Sequence, residues 1–233
     1  MKNRNRFFIY QITFISMFLV LAASCKESND TNPPAGNIVT DIDGNVYHTV
    51  TIGTQVWMVE NLKTTKYNDG TSIPDVTDNT AWYALTSGAC CDYNNTSGNS
   101  ITYGKLYNYF AVIDSRKLCP TGWHIPTDAE WTALSAFLGS EDVAGGKLKE
   151  AGVTHWATPN ANADNSSNFT ALPGGFRNNL GFFASNGIVG MWWSSSEEST
   201  IHAWDRDMSN ADGKLYRAFN FKGMGISVRC VKD

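Results

Sequence analysis

The first two dozen residues decide where this chain folds, and therefore which bonds its fold can use. Met1 to Arg6 carries Lys2, Arg4 and Arg6 with no acid, Phe7 to Ala23 is mostly apolar, and the run closes on the small residues Ala22, Ala23 and Ser24. Charged, then greasy, then small is the order of a secretory signal that is removed after export. The apolar run is interrupted by Gln11, Thr13 and Ser16, which makes it marginal against the roughly 20 residues that a spanning helix needs. An uncleaved anchor and a signal cut elsewhere are the competing readings. Export places the rest of the chain in an oxidising compartment, where cysteines can pair.

Cys25 follows directly. Leu21-Ala22-Ala23-Ser24-Cys25 resembles the lipobox of bacterial lipoproteins, in which the cysteine is acylated and becomes the new N-terminus, although here the leucine lies one place further from the cysteine than usual. The expectation is a signal over residues 1–24, a lipidated Cys25 with a flexible tether over 25–40, and a folded domain over 41–233. Acyl chains would make the membrane a partner, each buried methylene adding about 0.8 kcal/mol. The location implied is the outer membrane or cell surface. Lys26 to Asn37 is polar and contains Pro33-Pro34 and Gly36, too little apolar surface to order itself. Lys26-Glu27 weakly resembles an outward-export signal of Bacteroidetes lipoproteins; a soluble spacer explains it equally well.

Losing the signal removes three basic side chains and moves the net charge from −4 to −7. An acidic chain without a Lys/Arg stripe is a poor nucleic-acid binder, and that class is set aside. Eight tryptophans, twelve phenylalanines and nine tyrosines with modest charge suggest a β-rich, loop-heavy body, and about 200 residues suit one domain with a sizeable core.

Tyr47 to Ile52 alternates, Gly53-Thr54 turns, and Gln55 to Val59 alternates again, which reads as a hairpin. The Asp41/Asp43/Asn45 cluster lacks the spacing and terminal glutamate of a calcium loop, so turn chemistry is the better reading. No cofactor is expected, and calcium has no supporting motif. After Pro126, Thr127 and Glu130 form a capping box, Trp131, Leu134 and Leu138 share a face, and Gly139 ends the helix. A second helix is expected over Val143 to Glu150, loosened by Gly145-Gly146, with Lys147, Lys149 and Glu150 as its solvated face. Short strands follow, closing with a terminal hairpin of Tyr216 to Phe221 and Gly225 to Val231. One or two helices among many short strands is an α+β arrangement.

The segments Tyr47–Leu62 (YHTVTIGTQVWMVENL), Gly104–Phe110 (GKLYNYF), Cys119–Trp131 (CPTGWHIPTDAEW), Leu172–Arg177 (LPGGFR), Trp192–Glu197 (WWSSSE) and Ser227–Asp233 (SVRCVKD) together resemble the Fibrobacter succinogenes major paralogous domain. That domain is similar in pattern to the formylglycine-generating-enzyme branch of the C-type-lectin-like folds. The resemblance implies a single C-type-lectin-like domain on a bacterial surface lipoprotein, without implying a reaction. It also implies a bridge between Cys119 and Cys230, since such folds commonly tie the C-terminal strand back to the body. Adjacent Cys90 and Cys91 are left as a vicinal disulfide, free thiols or a metal pair, although zinc prefers Cys-x-x-Cys spacing.

Catalysis finds little support. Formylglycine-generating enzymes hold copper with two nearby C-terminal cysteines, and Cys230 stands alone there. The four histidines, His48, His124, His155 and His202, are scattered, and no His-Glu-x-x-His helix or Gly-x-Ser-x-Gly elbow occurs. Glu197-Glu198 and Asp205/Asp207 are acid pairs of the kind glycoside chemistry uses, but neighbouring acids on a loop usually form a solvated surface. A sugar site would stack aromatic faces beside carboxylates, amides and an arginine, and Trp156, Trp192, Trp193, Glu197, Trp204, Asp205 and Arg206 supply those types. Strand alternation would send one of Trp192 and Trp193 inward and the other outward. The Glu-Pro-Asn and Trp-Asn-Asp motifs of calcium-dependent lectins are absent. The functional expectation is a non-catalytic surface binding or adhesion module, with a glycan or a surface protein as partner. A structural or fimbria-associated component is the first alternative, and an uncharacterised enzyme the second.

Overall fold

A computed structural model of the protein describes residues 38–233; the expected signal, Cys25 and the expected tether up to residue 37 lie outside the described residues. The chain enters through β1 (Ile38–Thr40), β2 (Val46–Ile52) and β3 (Gln55–Met58). Asp41 closes the first turn: its carboxylate accepts from the Asp43 and Asn45 amides at 3.0 and 2.9 Å and from the Tyr47 hydroxyl at 2.6 Å. Turn chemistry thus accounts for the acidic cluster. Gly53, with φ +63°, turns β2 into β3. Along β2, Tyr47 and Thr49 are buried and Val46 and His48 exposed, the alternation that the pleat imposes, while further along Val50 and Ile52, on the other face, pack against the cluster of Trp57 and Trp131 and leave Thr51 exposed.

A loop-rich stretch carries α1 (Asn79–Tyr83), β4 (Cys90–Cys91), α2 (Ser97–Tyr103), β5 (Leu106–Tyr107), α3 (Tyr109–Val112) and β6 (Trp123–His124). Helix α4 (Asp128–Phe137) starts on the expected capping box, the Thr127 hydroxyl accepting from the Glu130 amide while the Glu130 carboxylate accepts from the Thr127 amide. Helix α5 spans Glu141–Leu148, two residues earlier at each end than expected. Its glycines permit close approach and do not loosen it: a Cβ at Gly145 would collide with the Lys214 carbonyl, and one at Gly146 with the Asn162 carbonyl. Lys149, expected on a solvated face, is fully buried. Its ammonium donates to the carbonyls of Ala161, Ser209 and Asp212 at 3.0, 2.9 and 2.7 Å, and burial pushes its pKa down to about 8.

The last third holds β7 (Phe176–Arg177), β8 (Phe183–Ala184), β9 (Val189–Glu197), β10 (His202–Ser209), β11 (Tyr216–Phe221) and β12 (Val231–Lys232). The expected terminal hairpin does not form. β11 pairs with β10 in a three-stranded sheet ordered β11-β10-β9, whereas β12 enters a five-stranded sheet ordered β1-β2-β3-β12-β6. Val231 faces Trp57 on one side and His124 on the other, and Cys230 is bonded to Cys119, 111 residues away. A crosslink of that span stabilises by up to about 4.7 kcal/mol in the chain-entropy picture. Antiparallel sheets with few helices make the fold α+β.

Two large apolar clusters flank the three-stranded sheet. Met191, Trp193 and Ala203 belong to one, with Tyr47, Tyr107, Tyr109 and Val228; Trp192 and Met208 belong to the other, with Trp57, Trp131, Trp156 and Phe169. Both faces are therefore covered near β9, and the expectation of one outward tryptophan fails: Trp192 and Trp193 are each fully buried. Their indole N–H groups donate to Asn61 Oδ1 and to the Tyr107 carbonyl, both at 2.8 Å. Two buried arginines fasten loops nearby. Arg177, stacked on Trp82 at 4.3 Å and Phe183 at 4.8 Å, donates to the carbonyls of Val76, Thr77 and Gly181. Arg229, stacked on Phe169 at 4.1 Å, donates to Asn61 Oδ1 and the Phe169 carbonyl.

Candidate functional site: an aromatic ladder on β10 and β11

Cross-strand pairing of His202 with Phe221, Trp204 with Phe219 and Arg206 with Arg217 puts six side chains on one face of the sheet, because partners directly opposite share a face. At one end of this row α4 begins. Asp128 accepts from Arg206 Nη1 at 2.7 Å and from Arg217 Nε and Nη2, both at 2.9 Å. Burial alone would raise the Asp128 carboxyl, but the two guanidiniums outweigh it and hold it below the usual range. Arg206 is buried under this contact, with Thr132 Oγ1 at 3.0 Å from its Nη2.

Beyond that end the face opens. The Arg217 guanidinium lies 3.5 Å from the centroid of Trp204, Trp204 meets Phe219 edge to face at 5.7 Å, and His202 sits 5.3 Å from Phe219 and 4.5 Å from Phe221. Phe219 and Phe221 are half exposed, at 50% and 46%, although each ring would gain by burial. Phe221 continues into a groove of about 230 Å³ lined by Tyr83, Phe110, Ile201, Lys222, Asn179 and Thr200, among others. At that margin Lys222 Nζ contacts Glu197 Oε1 at 2.9 Å. Rings beside an amide, a hydroxyl and an ion pair can stack on a flat ligand face and bond its polar rim.

Of the residues singled out in the sequence, the structure brings Trp204 to this surface; Glu197, paired with Ala203 on the other face of the sheet, reaches only its margin through Lys222. Trp156, Trp192, Trp193, Asp205 and Arg206 are buried and cannot touch a ligand; Trp156 donates to the Ala171 carbonyl at 2.9 Å, beneath Lys149. Asp205 and Asp207 point to the opposite face from the ladder. Burial raises both carboxyls, Asp205 to about 6 and Asp207 well above its ordinary value. Asp205 Oδ2 accepts from Asn220 at 3.0 Å, while one oxygen of each acid has no hydrogen-bond partner. Residues that sequence reading missed are His202, Arg217, Phe219 and Phe221. Their signal is the alternation of Arg217, Phe219 and Phe221, which gains meaning only in register with His202 and Trp204.

Cys90 and Cys91 are buried free thiols, both pushed up to about 12 by burial. Adjacent strand residues face opposite ways: Cys90 enters the cluster containing Tyr107, and Cys91 the one containing Trp82. That divergence keeps them apart, and the vicinal bridge is not formed. Among the described residues no three His, Cys, Asp or Glu side chains are grouped to hold a metal. No helix among the described residues is long and apolar enough to cross a membrane.

Short strands, buried loop-fastening cations and one open aromatic face define an α+β domain of surface-module type. The chain belongs to the Fibrobacter succinogenes major domain family, whose pattern matches residues 50–232. Neither a curated protein nor a solved structure matches it.

Proposed function

We propose that this is a cell-surface lipoprotein, anchored through Cys25 in the outer membrane, whose folded part is a non-catalytic binding or adhesion module for carbohydrate. The observation that carries the reading is the open run from Arg217 through Trp204, Phe219 and His202 to Phe221. Exposed rings in a row are costly to leave in water and suit the apolar faces of a sugar chain. The polar groove at the Phe221 end supplies partners for hydroxyls. A C-type-lectin-like arrangement is part of the same proposal, supported by the bridge from the C-terminal strand to the body.

The test is a glycan and polysaccharide array probed with the purified protein, with calcium and with chelator. Saturable binding that falls at least tenfold, or about 1.4 kcal/mol, in Trp204→Ala and Phe221→Ala supports the site. Binding that survives both substitutions places recognition elsewhere, and no binding in either condition removes the carbohydrate reading. Cys25→Ser should release the protein from membranes; retention there would overturn the lipid anchor.

A further inference from the structure

The groove at the Phe221 end of the ladder continues. Phe110, which lines it, also lines a second hollow of about 320 Å³ with Thr86, Ser87 and Ile113. Ile113, Asp114 and Ser115 are shared in turn with a third hollow, of about 300 Å³, that reaches Trp123 and His124. Shared walls join the three into one path along α3. Phe221 and its neighbour Lys222 point to opposite faces of β11, and both line the first hollow, so the path leaves the ladder by turning round the end of the sheet. Each hollow lies near the lower limit for a compact small-molecule site, roughly 300 Å³, whereas the three together fall well inside the usual range. Their combined shape suits something long.

Tyr83, Ile201 and Ile113 stand along this path at 64%, 57% and 46% exposure, apolar surface of the kind that marks a ligand groove. Between them lie the exposed hydroxyls of Thr86, Ser87, Ser115 and Thr200. The charges on the path are already matched: Lys222 with Glu197 at 2.9 Å, Asp114 with Arg116 at 2.7 Å, and His124 with Asp233 and Glu130 at 2.7 and 2.8 Å. Among the described residues that line the three hollows, Lys117 is the one charged side chain outside an ion pair.

We propose, resting on the carbohydrate reading of the ladder, that the ligand is a soluble, flexible, uncharged polysaccharide chain bound along its length. It runs from Trp204 over Phe219 and Phe221, round the end of the sheet and past Phe110 to Trp123. A flat crystalline face would touch the ladder and miss the turn. An acidic chain would find no free cation on the path but Lys117, on a protein whose own balance is negative, which disfavours it.

The experiment titrates the detergent-solubilised full chain, by calorimetry, with oligosaccharides of two to eight units from neutral glucans, xylans and mannans. From Arg217 to Phe221 the ladder is only about 13 Å long at the rise of a strand, so affinity should keep climbing once a chain outgrows it. An octasaccharide should bind at least tenfold tighter than the tetrasaccharide of its series. Ser115→Trp, which fills the junction of the second and third hollows, should abolish that gain, and Ile113→Ala should reduce it; both side chains are exposed, so neither change opens the core. Equal affinity for the two lengths, or a gain untouched by Ser115→Trp, would overturn the extended site and leave the ladder reading standing. So would a preference for polygalacturonate, or binding to crystalline cellulose alone. Failure of every glycan, soluble, charged or crystalline, would remove the ladder reading and this one together.

Discussion

The protein buries charges of both signs and treats them in opposite ways. Lys149, Arg177 and Arg229 each lie out of water with no carboxylate bonded to them, and each is held by backbone carbonyls or amide oxygens, all but the Gly181 carbonyl on Arg177 from segments at least twelve residues away. Asp205, fully buried, and Asp207, half-buried, lie on one face of one strand, each with a buried oxygen that nothing donates to. Carbonyls are plentiful wherever a chain runs in loops, so a buried cation can be solvated by the very segments it fixes. Free N–H donors are scarce along paired strands, so a buried acid there must keep its proton, whereas Asp41, buried in a turn, is met by two backbone amides and the Tyr47 hydroxyl. Loop-rich proteins can thus use buried cations as fasteners, whereas acids buried on strands make the fold sensitive to pH.

Breaking the comparison at its strongest point, Arg229→Ala should cost about 4 kcal/mol, since it leaves a cavity and orphans carbonyls. Urea unfolding checks this, and a loss under about 1 kcal/mol would mean the loops do not rely on the cation. Lys149→Met, which fills most of the volume but strands three carbonyls, should lose roughly 3 kcal/mol by the same measurement.

Asp207→Asn sharpens the other half. A carboxyl whose folded pKa is raised contributes most below its unfolded value near 3.9 and loses that contribution as pH rises through the folded value, about 6 for Asp205. The unmutated protein should therefore lose on the order of 1 kcal/mol between pH 4.5 and 7.5 from this pair, and Asp207→Asn should reduce that slope without abolishing it, because burial alone still raises Asp205. An unchanged slope would put the titration elsewhere.

The smallest effect belongs to a surface charge. His124 bonds Asp233 at 2.7 Å and Glu130 at 2.8 Å. Burial opposes its charge, yet the two carboxylates outweigh it and raise the imidazole. Its contribution is complete below about pH 6.5 and disappears as pH rises through the raised folded value. Being partly exposed, it should be worth under about 1 kcal/mol. His124→Asn should narrow the difference in melting temperature between pH 5.5 and pH 8.5; an unchanged difference would show that the clamp carries no charge.

What could be read from the sequence follows from the range of the interactions. The Thr127–Glu130 box and the Gly53 hairpin are local, so their residues announce them. Lys149 could not be read, because its three acceptors come from residues 161, 209 and 212, and helical periodicity says nothing about them. Trp192 and Trp193 misled because alternation implies one wet face, and here two separate clusters cover both. The ladder was half legible: Trp204, and Glu197 at its margin, were in view, but the rings of β11 depend on the register of β10 against β11. Proximity in sequence suggested that β11 folds back on the terminal segment. The gap between β3 and β6, filled by Val231, overrode it.

That gap has a consequence for how the molecule is made. The strand at the heart of the five-stranded sheet follows all its sheet neighbours in the chain, so β3 and β6 have no common neighbour until β12 arrives. Contacts of such long sequence separation form slowly, which makes closure of this sheet a late step in folding. A chain stopped before Val228 should remain open to proteases, whereas one that includes β12 closes, that strand serving as the latch.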